Sequence, residues 1–227
     1  MLDREAEVAV TLREPREFTD LALERYTHIV LPDGDYTAVG SALAERLALW
    51  VRAGGILVGV KRGALWAVDV GLTEAAHAAS SSELDENPEI IRADYVDKEA
   101  LEALDRTAGA ILTADIDTSH PLGAGLASRE LPLYRSGTLT LPNAADRFAA
   151  VVAWTDRPPI AGLLADSQRE RLPGTPALLA ERHGAGSVIL FSDNPDHRGY
   201  WHGSQRLMFN VLYLGASFLA PGQRFAD

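Results

Sequence analysis

The chain of 227 residues contains no cysteine. This absence excludes disulfide bonds, thiolate metal sites and cysteine nucleophiles together. The sequence also has no Gly-x-Ser-x-Gly motif, and none of its six histidines is followed by glutamate at the third position. The first absence argues against a serine hydrolase built on a nucleophile elbow, and the second against a zinc site built on a His-x-x-Glu pair.

Long apolar runs are missing as well. No run is apolar enough to span a bilayer, and the first ten residues are charged and lack the apolar core of a signal peptide. The formal net charge of -11 disfavours nucleic acid and anionic membranes as partners, because both would repel the chain, although solubility alone explains this charge more simply. The composition of the chain, with 47% hydrophobic and 23% charged residues, predicts one globular domain with a sizeable core.

Residues 50–66 predict a strand, a tight turn and a helix at the centre of the fold. Residues 56–60 form a short, mostly β-branched apolar run, which is typical of a strand buried on both faces. Gly59 and Gly63 flank Lys61, and a helix is expected directly after them. A strand, a Gly-x-nucleophile-x-Gly turn and a helix together indicate a nucleophile elbow. Lys61 occupies the nucleophile's position, so we expect the elbow to be kept and its usual nucleophile to be lost.

Further strands and helices are predicted on both sides of this elbow. Alternating apolar residues predict a strand at 8–12, and apolar runs predict buried strands at 28–32, 110–115 and 187–192. Helical spacing of apolar residues predicts helices over 42–51, 64–70 and 202–218. Short apolar segments separated by proline and glycine predict late antiparallel strands at 139–141, 148–154, 160–164 and 177–181.

These elements predict an α/β fold, a three-layer sandwich with a mainly parallel open sheet and an antiparallel portion late in the chain. We expect a single domain over residues 1–227, with a surface excursion over the acidic stretch 73–107 and one helix near 98–105. Sites in such sheets lie at the carboxyl ends of the strands. The segments expected to meet there are Asp33–Gly34, Lys61–Gly63 and Asp193–Asp196.

Together these three segments resemble the motifs of class I glutamine amidotransferases. That family has a Pro-Gly-Gly turn, a Gly-x-Cys-x-Gly elbow and a late His-Pro-Glu motif, and the resemblance implies its flavodoxin-like fold. In matching order, cysteine is replaced by Lys61, histidine by Asn194 and glutamate by Asp196. The family's chemistry needs a thiolate, a base that makes it and a carboxylate that orients the base. The resemblance therefore implies the fold and argues against the activity.

A second resemblance covers nearly the whole chain. Four segments resemble sequence motifs in the amidotransferase-like C-terminal domain of large bacterial zinc carboxypeptidases: residues 31–36, 50–55, 120–125 and 192–198. In those proteins a carboxypeptidase A-like metallopeptidase domain comes first. The resemblance implies a non-catalytic accessory or interaction domain, with the upstream zinc carboxypeptidase-like domain as its partner and an exported parent protein. It also implies that residues 2–7 end the first helix of the domain, whose first strand and most of whose first helix are missing.

A missing strand would leave an exposed edge in the sheet, and exposed edges favour pairing with another chain. We therefore expect association into a homodimer or higher oligomer, with contacts near residues 8–12 or 28–32.

Lys61 is the first candidate for a functional site. Its ammonium group is suited to binding a carboxylate, or acts as a residual nucleophile if desolvated, while a salt-bridged or solvated lysine is the simpler interpretation. Other possible binding residues around the same pocket are Asp33, Gly34, Arg62, Asp193, His197 and Arg198. No metal ligand set and no cofactor is assigned.

The loop before the last helix holds the remaining candidates. Asp193, Asp196, His197 and His202 have the side chains of metal ligands, but helix capping and loop hydrogen bonds explain them more simply. Arg198, Tyr200 and Trp201 form either a recognition surface or ordinary packing around that helix. Elsewhere, His120 precedes a proline and is interpreted as a turn residue.

Three functions remain open at this point. The favoured one is a non-catalytic accessory domain, which predicts neither glutaminase nor peptidase activity and no stoichiometric zinc. The others are a small-molecule hydrolase using Lys61 or a loop metal, and a ligand-binding module using the pocket around Lys61. Resemblance of fold does not decide among them.

Overall fold

The computed structural model describes residues 7–14, 17, 21–37, 39–75, 94–98, 107–199 and 202–220. The strands in these ranges are β1 (His28–Leu31), β2 (Ile56–Val60), β3 (Ala110–Ile116), β4 (Glu130–Arg135), β5 (Ala150–Trp154), β6 (Ala161–Gly162), β7 (Pro176–His183) and β8 (Gly186–Phe191). The α-helices are α1 (Ser41–Arg52), α2 (Arg62–Asp69), α3 (Asp166–Arg171) and α4 (His202–Leu214). Single helical turns lie at Leu23–Arg25, Tyr95–Asp97, Pro121–Gly123 and His197–Gly199.

One sheet contains all of these strands. Their order is β1-β2-β8-β7-β5-β3-β4, and the short β6 pairs with β3. The pairs β1–β2 and β2–β8 are parallel, whereas the other pairs of described strands are antiparallel. The sheet is mixed, mostly antiparallel, and curls into a half-barrel. The predicted three-layer sandwich with a mainly parallel, flavodoxin-like sheet is therefore wrong.

Strand β3 shows why that prediction failed. A buried strand is present at residues 110–116, as expected, but it runs antiparallel to both β4 and β5. Five of its seven residues are buried, on both faces of the strand, which is the pattern associated with parallel strands covered on both faces. In a curled sheet an antiparallel strand is also covered on both faces, so burial does not report strand direction.

The helices pack on both faces of the sheet. On one face, Leu47 of α1 and Ala64 of α2 pack in the same cluster as Leu57 of β2. On the other face, Leu207 and Val211 of α4 lie in a cluster with strands from both ends of the sheet. Burying a leucine side chain stabilises the fold by roughly 1.5–3 kcal/mol, so these clusters hold α1, α2 and α4 against the sheet. None of the helices in the described ranges has the length and apolar character needed to cross a bilayer.

Several other expectations differ from the structure. Residues 8–12 and 139–141 form no strand, and the Leu12 side chain is 87% exposed. Strand β4 was not expected from the sequence. Most of the 73–107 excursion, including most of its helix near 98–105, lies outside the described residues, as do residues 2–6, Tyr200 and Trp201.

The curl of the sheet brings the ends of distant strands together. Strands β4 and β8 end at the same edge of the sheet, although β7, β5 and β3 lie between them. The Ser136 N–H, just after β4, nevertheless donates to Asp193 Oδ2, after β8, at 2.5 Å. The Tyr134 ring also stacks on the His197 ring, with centroids 3.6 Å apart. These contacts join the two rims of the half-barrel at the edge where Lys61 lies.

Candidate functional site

A single residue makes the turn between β2 and α2. Lys61 has φ 51° and ψ -116°, a conformation that is strained for a residue with a side chain. Its N–H donates to the Phe191 carbonyl oxygen at 2.9 Å and so extends the pairing of β2 with β8. The strand, turn and helix predicted around Lys61 are present, and the strained backbone is that of a nucleophile elbow.

The two glycines of the elbow permit a close approach between α2 and the sheet. A Cβ atom on Gly59 would lie 2.7 Å from Ala64 Cα. A Cβ atom on Gly63 would press into the Leu31 carbonyl oxygen at the end of β1. Only glycine fits both positions, because real Cβ atoms do not approach other atoms so closely.

The Lys61 side chain is held by groups from three other strand ends. Its Nζ donates to Ser136 Oγ at 3.0 Å, and it lies 3.8 Å from Asp193 Oδ1 and 3.9 Å from Asp33 Oδ2. The side chain is only 20% exposed. Asp33 follows β1, Ser136 follows β4 and Asp193 follows β8, so the ammonium group connects all three ends to the elbow.

The two carboxylates are engaged in different ways. Asp193 is buried, and its oxygens accept hydrogen bonds from the N–H groups of Ser136, at 2.5 Å, and Asn194, at 2.8 Å. Asp33 is more exposed and accepts from Arg62 Nε at 2.7 Å. Partial burial alone would raise the pKa of Asp33, but the hydrogen bond and charge of Arg62, together with the Lys61 charge, outweigh it and the pKa lies below its ordinary value.

Arg135 is an unusual neighbour of this cluster. Its side chain is fully buried, and its guanidinium carbon lies 5.8 Å from the centroid of the Trp154 ring. Within the described part of the chain, none of its three guanidinium nitrogens has a hydrogen-bond partner. Burial lowers the pKa of Arg135, and the charge of Asp193 opposes this change. The cluster therefore contains three cations, Lys61, Arg62 and Arg135, and two carboxylates.

Little space remains beside these charges. A cavity of about 20 Å³ is lined by Tyr134, Trp154, Asp193 and Asn194, among others. A cavity of roughly 10–15 Å³ holds one water molecule, so this space takes about one. A substrate does not fit there without movement of the surrounding side chains.

In the described part of the chain, the other predicted site residues make no hydrogen bond or ion pair with the Lys61 side chain. Asn194 Oδ1 accepts from the Asp196 N–H at 2.9 Å, and Asp196 Oδ1 accepts from Gln205 Nε2 at 2.7 Å. These two residues therefore hold the loop and its connection to α4. Arg198 is exposed with a left-handed backbone, at φ 57°.

Two further candidates also lie apart from the ammonium group. Gly34 lies in the turn after β1, beside the Tyr36 ring. His202 interacts with Gln205 at the start of α4. Across the described ranges, no three His, Asp or Glu side chains are placed to hold a metal ion.

Comparison with known proteins leaves the family open. No protein-family model and no curated protein matches the chain. The cytoplasmic protein STM3548 from Salmonella typhimurium is similar over 93% of this chain and 82% of that chain, at 13% identity and a TM-score of 0.46. A cold-adapted β-galactosidase from Rahnella sp. R3 is similar over 87% of this chain, at 14% identity and a TM-score of 0.38.

Both TM-scores are below 0.5, so neither similarity shows the fold or the function of this chain. This chain spans only 24% of the length of the galactosidase.

Two residues of the cluster were missed in the sequence. Leu131, Leu133 and Arg135 alternate along β4, and all three side chains are buried on the same face of the strand. That alternation is the signal for β4, but a charged residue in its third buried position obscures it. Ser136 carries no signal of its own, because its role depends on the curl that brings β4 to β8.

Proposed function

We propose that this chain is a non-catalytic accessory or interaction domain, in which the nucleophile elbow has become a structural ion-pair cluster. One observation carries the proposal. The Lys61 ammonium group donates to Ser136 Oγ at 3.0 Å and lies within 4 Å of two carboxylates, those of Asp193 and Asp33. A nucleophilic lysine needs an uncharged amine that faces its substrate, whereas this amine is enclosed by protein groups.

The space around the cluster supports the same proposal. The cavity beside Asp193 takes about one water molecule. Two larger cavities, of about 370 Å³ and 470 Å³, are lined by other parts of the chain, and Lys61 belongs to neither lining. Pockets that take small molecules usually measure about 300–1,000 Å³. Lys61 therefore lines neither of the two cavities that are large enough for a small molecule, which supports a structural role for the elbow.

We further propose that the domain packs on a zinc carboxypeptidase-like domain of the same parent protein. The support for this part is the resemblance of residues 31–36, 50–55, 120–125 and 192–198 to the accessory domain of such proteins. Binding of the separately expressed peptidase domain, measured by calorimetry, tests it. Absence of binding at high micromolar concentration would count against it.

Replacement of the elbow lysine tests the structural role. We expect the chain to show no glutaminase, peptidase or esterase turnover, before or after Lys61→Met. We also expect Lys61→Met to lower the free energy of unfolding by about 1 kcal/mol, because Asp193 and Asp33 lose a cation that is only partly exposed. Lys98→Met, at an exposed lysine, is the matched control and should change little. Turnover that Lys61→Met abolishes and Lys98→Met preserves would overturn the proposal.

A ligand-binding function at the elbow is the second candidate. One observation favours it, because Lys61 keeps a strained backbone of the kind that concentrates at functional sites. A small carboxylate such as acetate or succinate is the expected ligand of an ammonium group. Calorimetric titration should then show binding by the unaltered chain and a loss of binding in Lys61→Met.

A further inference from the structure

An apolar groove of about 370 Å³ lies along the outer side of β1. Residues 8–13 form one wall, and residues 28–32 form the other. Tyr36, Trp66 and Leu212 close the groove from the two faces of the sheet. One water needs only roughly 10–15 Å³, so the groove has room for a much larger occupant.

The wall formed by β1 is an open sheet edge. β1 is the last strand of the sheet, with β2 on one side and no paired strand among the described residues on the other. The Thr27 carbonyl oxygen accepts from the Ile56 N–H at 3.0 Å, so Thr27, and Ile29 two residues later, direct their main-chain groups at β2. Main-chain direction alternates along a strand, so His28 and Val30 direct theirs into the groove.

The opposite wall has a strand-like sequence without strand pairing. Val8, Val10 and Leu12 alternate, but no strand forms over residues 8–12. The Val10 and Leu12 side chains are 44% and 87% exposed. An apolar, alternating segment thus lies across from a free edge, with an unfilled space between the two.

The charges around the groove restrict what can occupy it. Among the described residues, the groove lining contains no carboxylate, although the whole chain has a net charge of -11. Arg13 is the permanently charged residue among the described lining residues, and burial lowers the pKa of His28, which keeps that ring neutral at neutral pH. A second copy of this strongly acidic chain is therefore a poor occupant, because the two copies repel each other. An apolar occupant with an acidic end near Arg13 fits best.

We propose that this groove is the docking site for one extended, apolar segment of another polypeptide, which inserts between residues 8–13 and β1 and adds a strand to the sheet. Main-chain hydrogen bonds to His28 and Val30 supply affinity, and the apolar walls accept the alternating side chains. The proposal goes beyond the proposed function because it names a surface and the chemistry of its partner. It does not depend on the state of the elbow.

A synthetic strand peptide tests the docking site. The probe is acetyl-Asp-Val-Ile-Val-Thr-Val-amide, titrated into the full chain and followed by fluorescence anisotropy of a labelled copy. We expect saturable binding and at least tenfold slower hydrogen exchange at the amides of His28 and Val30. The same peptide with N-methyl groups on alternate residues should bind at least tenfold more weakly, because it cannot make the main-chain hydrogen bonds on which strand pairing depends.

Variants on the two walls localise the binding. Val30→Lys on β1 and Val10→Lys on the opposite wall should each weaken peptide binding at least tenfold. Val10 is partly exposed, so its variant keeps the test valid if Val30→Lys fails to fold. Val96→Lys, at a valine that is 85% exposed and outside the groove, is the matched control and should bind normally.

Three results would overturn the proposal. The first is absence of peptide binding, and the second is equal binding of the N-methylated peptide, which would indicate an apolar site without strand pairing. The third is a concentration-dependent dimer in light scattering that Val10→Lys dissociates, because a second copy would then fill the groove. The assays of Lys61→Met address another part of the molecule, so the two proposals can fail separately.

Discussion

The parallel and antiparallel parts of the sheet keep their charged side chains in different surroundings. In the parallel part, β1, β2 and β8, Lys61 and Arg62 lie at the rim and pair with carboxylates at 2.7–3.9 Å. In the antiparallel part, Arg135 of β4 is fully buried, and it faces the Trp154 ring without a hydrogen-bond acceptor among the residues that the structure describes. A charged side chain at the solvent-exposed rim loses little hydration, whereas a buried cation is stable only with an opposite charge nearby.

Asp193 provides that opposite charge, and it also joins the two parts. It lies 3.8 Å from Lys61 of the parallel part and accepts from the N–H of Ser136, which follows β4 of the antiparallel part. Its charge also acts on the guanidinium group of Arg135. The Lys61 and Asp193 side chains therefore connect the parallel part of the sheet to the end of β4.

Asp193→Asn breaks the connection between the two parts and should have the largest effect. Removing one partner of a buried charge pair typically costs about 3–5 kcal/mol, and partial exposure of Lys61 places our expectation near 3 kcal/mol. Urea denaturation measures the free energy of unfolding. Asp156→Asn, at an exposed aspartate, is the control and should stay within about 0.5 kcal/mol.

A double variant sharpens this result. Asp193→Asn combined with Arg135→Met removes the buried cation as well as the carboxylate, so it should recover part of the lost stability. Equal or greater destabilisation in the double variant would contradict the role assigned to Arg135. A loss below about 1 kcal/mol in the single variant would contradict the role assigned to Asp193.

Gly63→Ala tests the parallel part alone. The added methyl group presses into the Leu31 carbonyl oxygen and lies 2.8 Å from the Pro32 carbonyl oxygen, and neither oxygen can move without shifting β1. Overpacking of this kind costs about 1–3 kcal/mol, and we expect about 2 kcal/mol in thermal or urea unfolding. Gly203→Ala is the control, because its methyl group would lie 3.6 Å from Leu131 Cδ1 and alanine favours the helix α4. Equal losses in both variants would show that the elbow is not tightly packed.

His120→Asn tests the antiparallel part through its dependence on pH. Burial lowers the pKa of His120 from 6.5 to about 4, and its ring lies 4.9 Å from that of Phe218. His120 is protonated near pH 6.5 in the unfolded chain but stays neutral in the folded chain down to about pH 4. The stability contributed by the neutral, buried ring is therefore fully present above pH 6.5 and is lost as the pH falls towards 4. Between about pH 7 and pH 5 the loss from this residue should be about 1–2 kcal/mol.

Asparagine keeps an acceptor for the Leu122 N–H, which His120 Nδ1 now accepts at 3.1 Å, and it does not titrate. Urea unfolding of His120→Asn should therefore show a shallower decline in stability on acidification. His28 retains part of the decline, because burial lowers its pKa too. His202→Asn, at an exposed histidine, should keep the full decline, and an unchanged slope in His120→Asn would refute the assignment.

The two parts also differ in how far the sequence predicts them. The sequence predicts the strand, turn and helix around Lys61 because each has a local signal: an apolar run for the strand, the glycine spacing for the turn and helical periodicity for the helix. It does not predict the direction of β3, because alternation and burial are the same in either direction. The sequence predicts that Asn194 and Asp196 lie near Lys61, whereas the residue of this loop whose carboxylate lies 3.8 Å from Lys61 Nζ is Asp193. Ser136 and Arg135 depend on the curl of the whole sheet, which no short segment encodes.

Arg62→Gln should have the smallest effect, and it compares matching exposed ion pairs of the two parts. Arg62 Nε lies 2.7 Å from Asp33 Oδ1 after β1, and Arg129 Nη2 lies 2.7 Å from Asp115 Oδ2 on β3. Exposed pairs contribute little to stability, so neither Arg62→Gln nor Arg129→Gln should change the unfolding curve measurably. Each should instead alter the titration of its own carboxylate in an NMR experiment on the aspartate side chains.

The pKa of Asp33 should rise in Arg62→Gln. Partial burial of Asp33 already opposes its charge, and Lys61 at 3.9 Å then remains as the cation that lowers the pKa. The hydrogen bond from Arg129 lowers the pKa of Asp115, which should therefore rise in Arg129→Gln while Asp33 stays unchanged. Both shifts affect stability only at acidic pH. A carboxylate whose pKa is lowered in the folded state stabilises the fold above its ordinary pKa, and this stability is lost as the pH falls through the folded-state pKa. A rise at Asp33 in both variants would mean that the two ends of the sheet are coupled electrostatically, and the contrast between the parallel and antiparallel parts would then not extend to their surface charges.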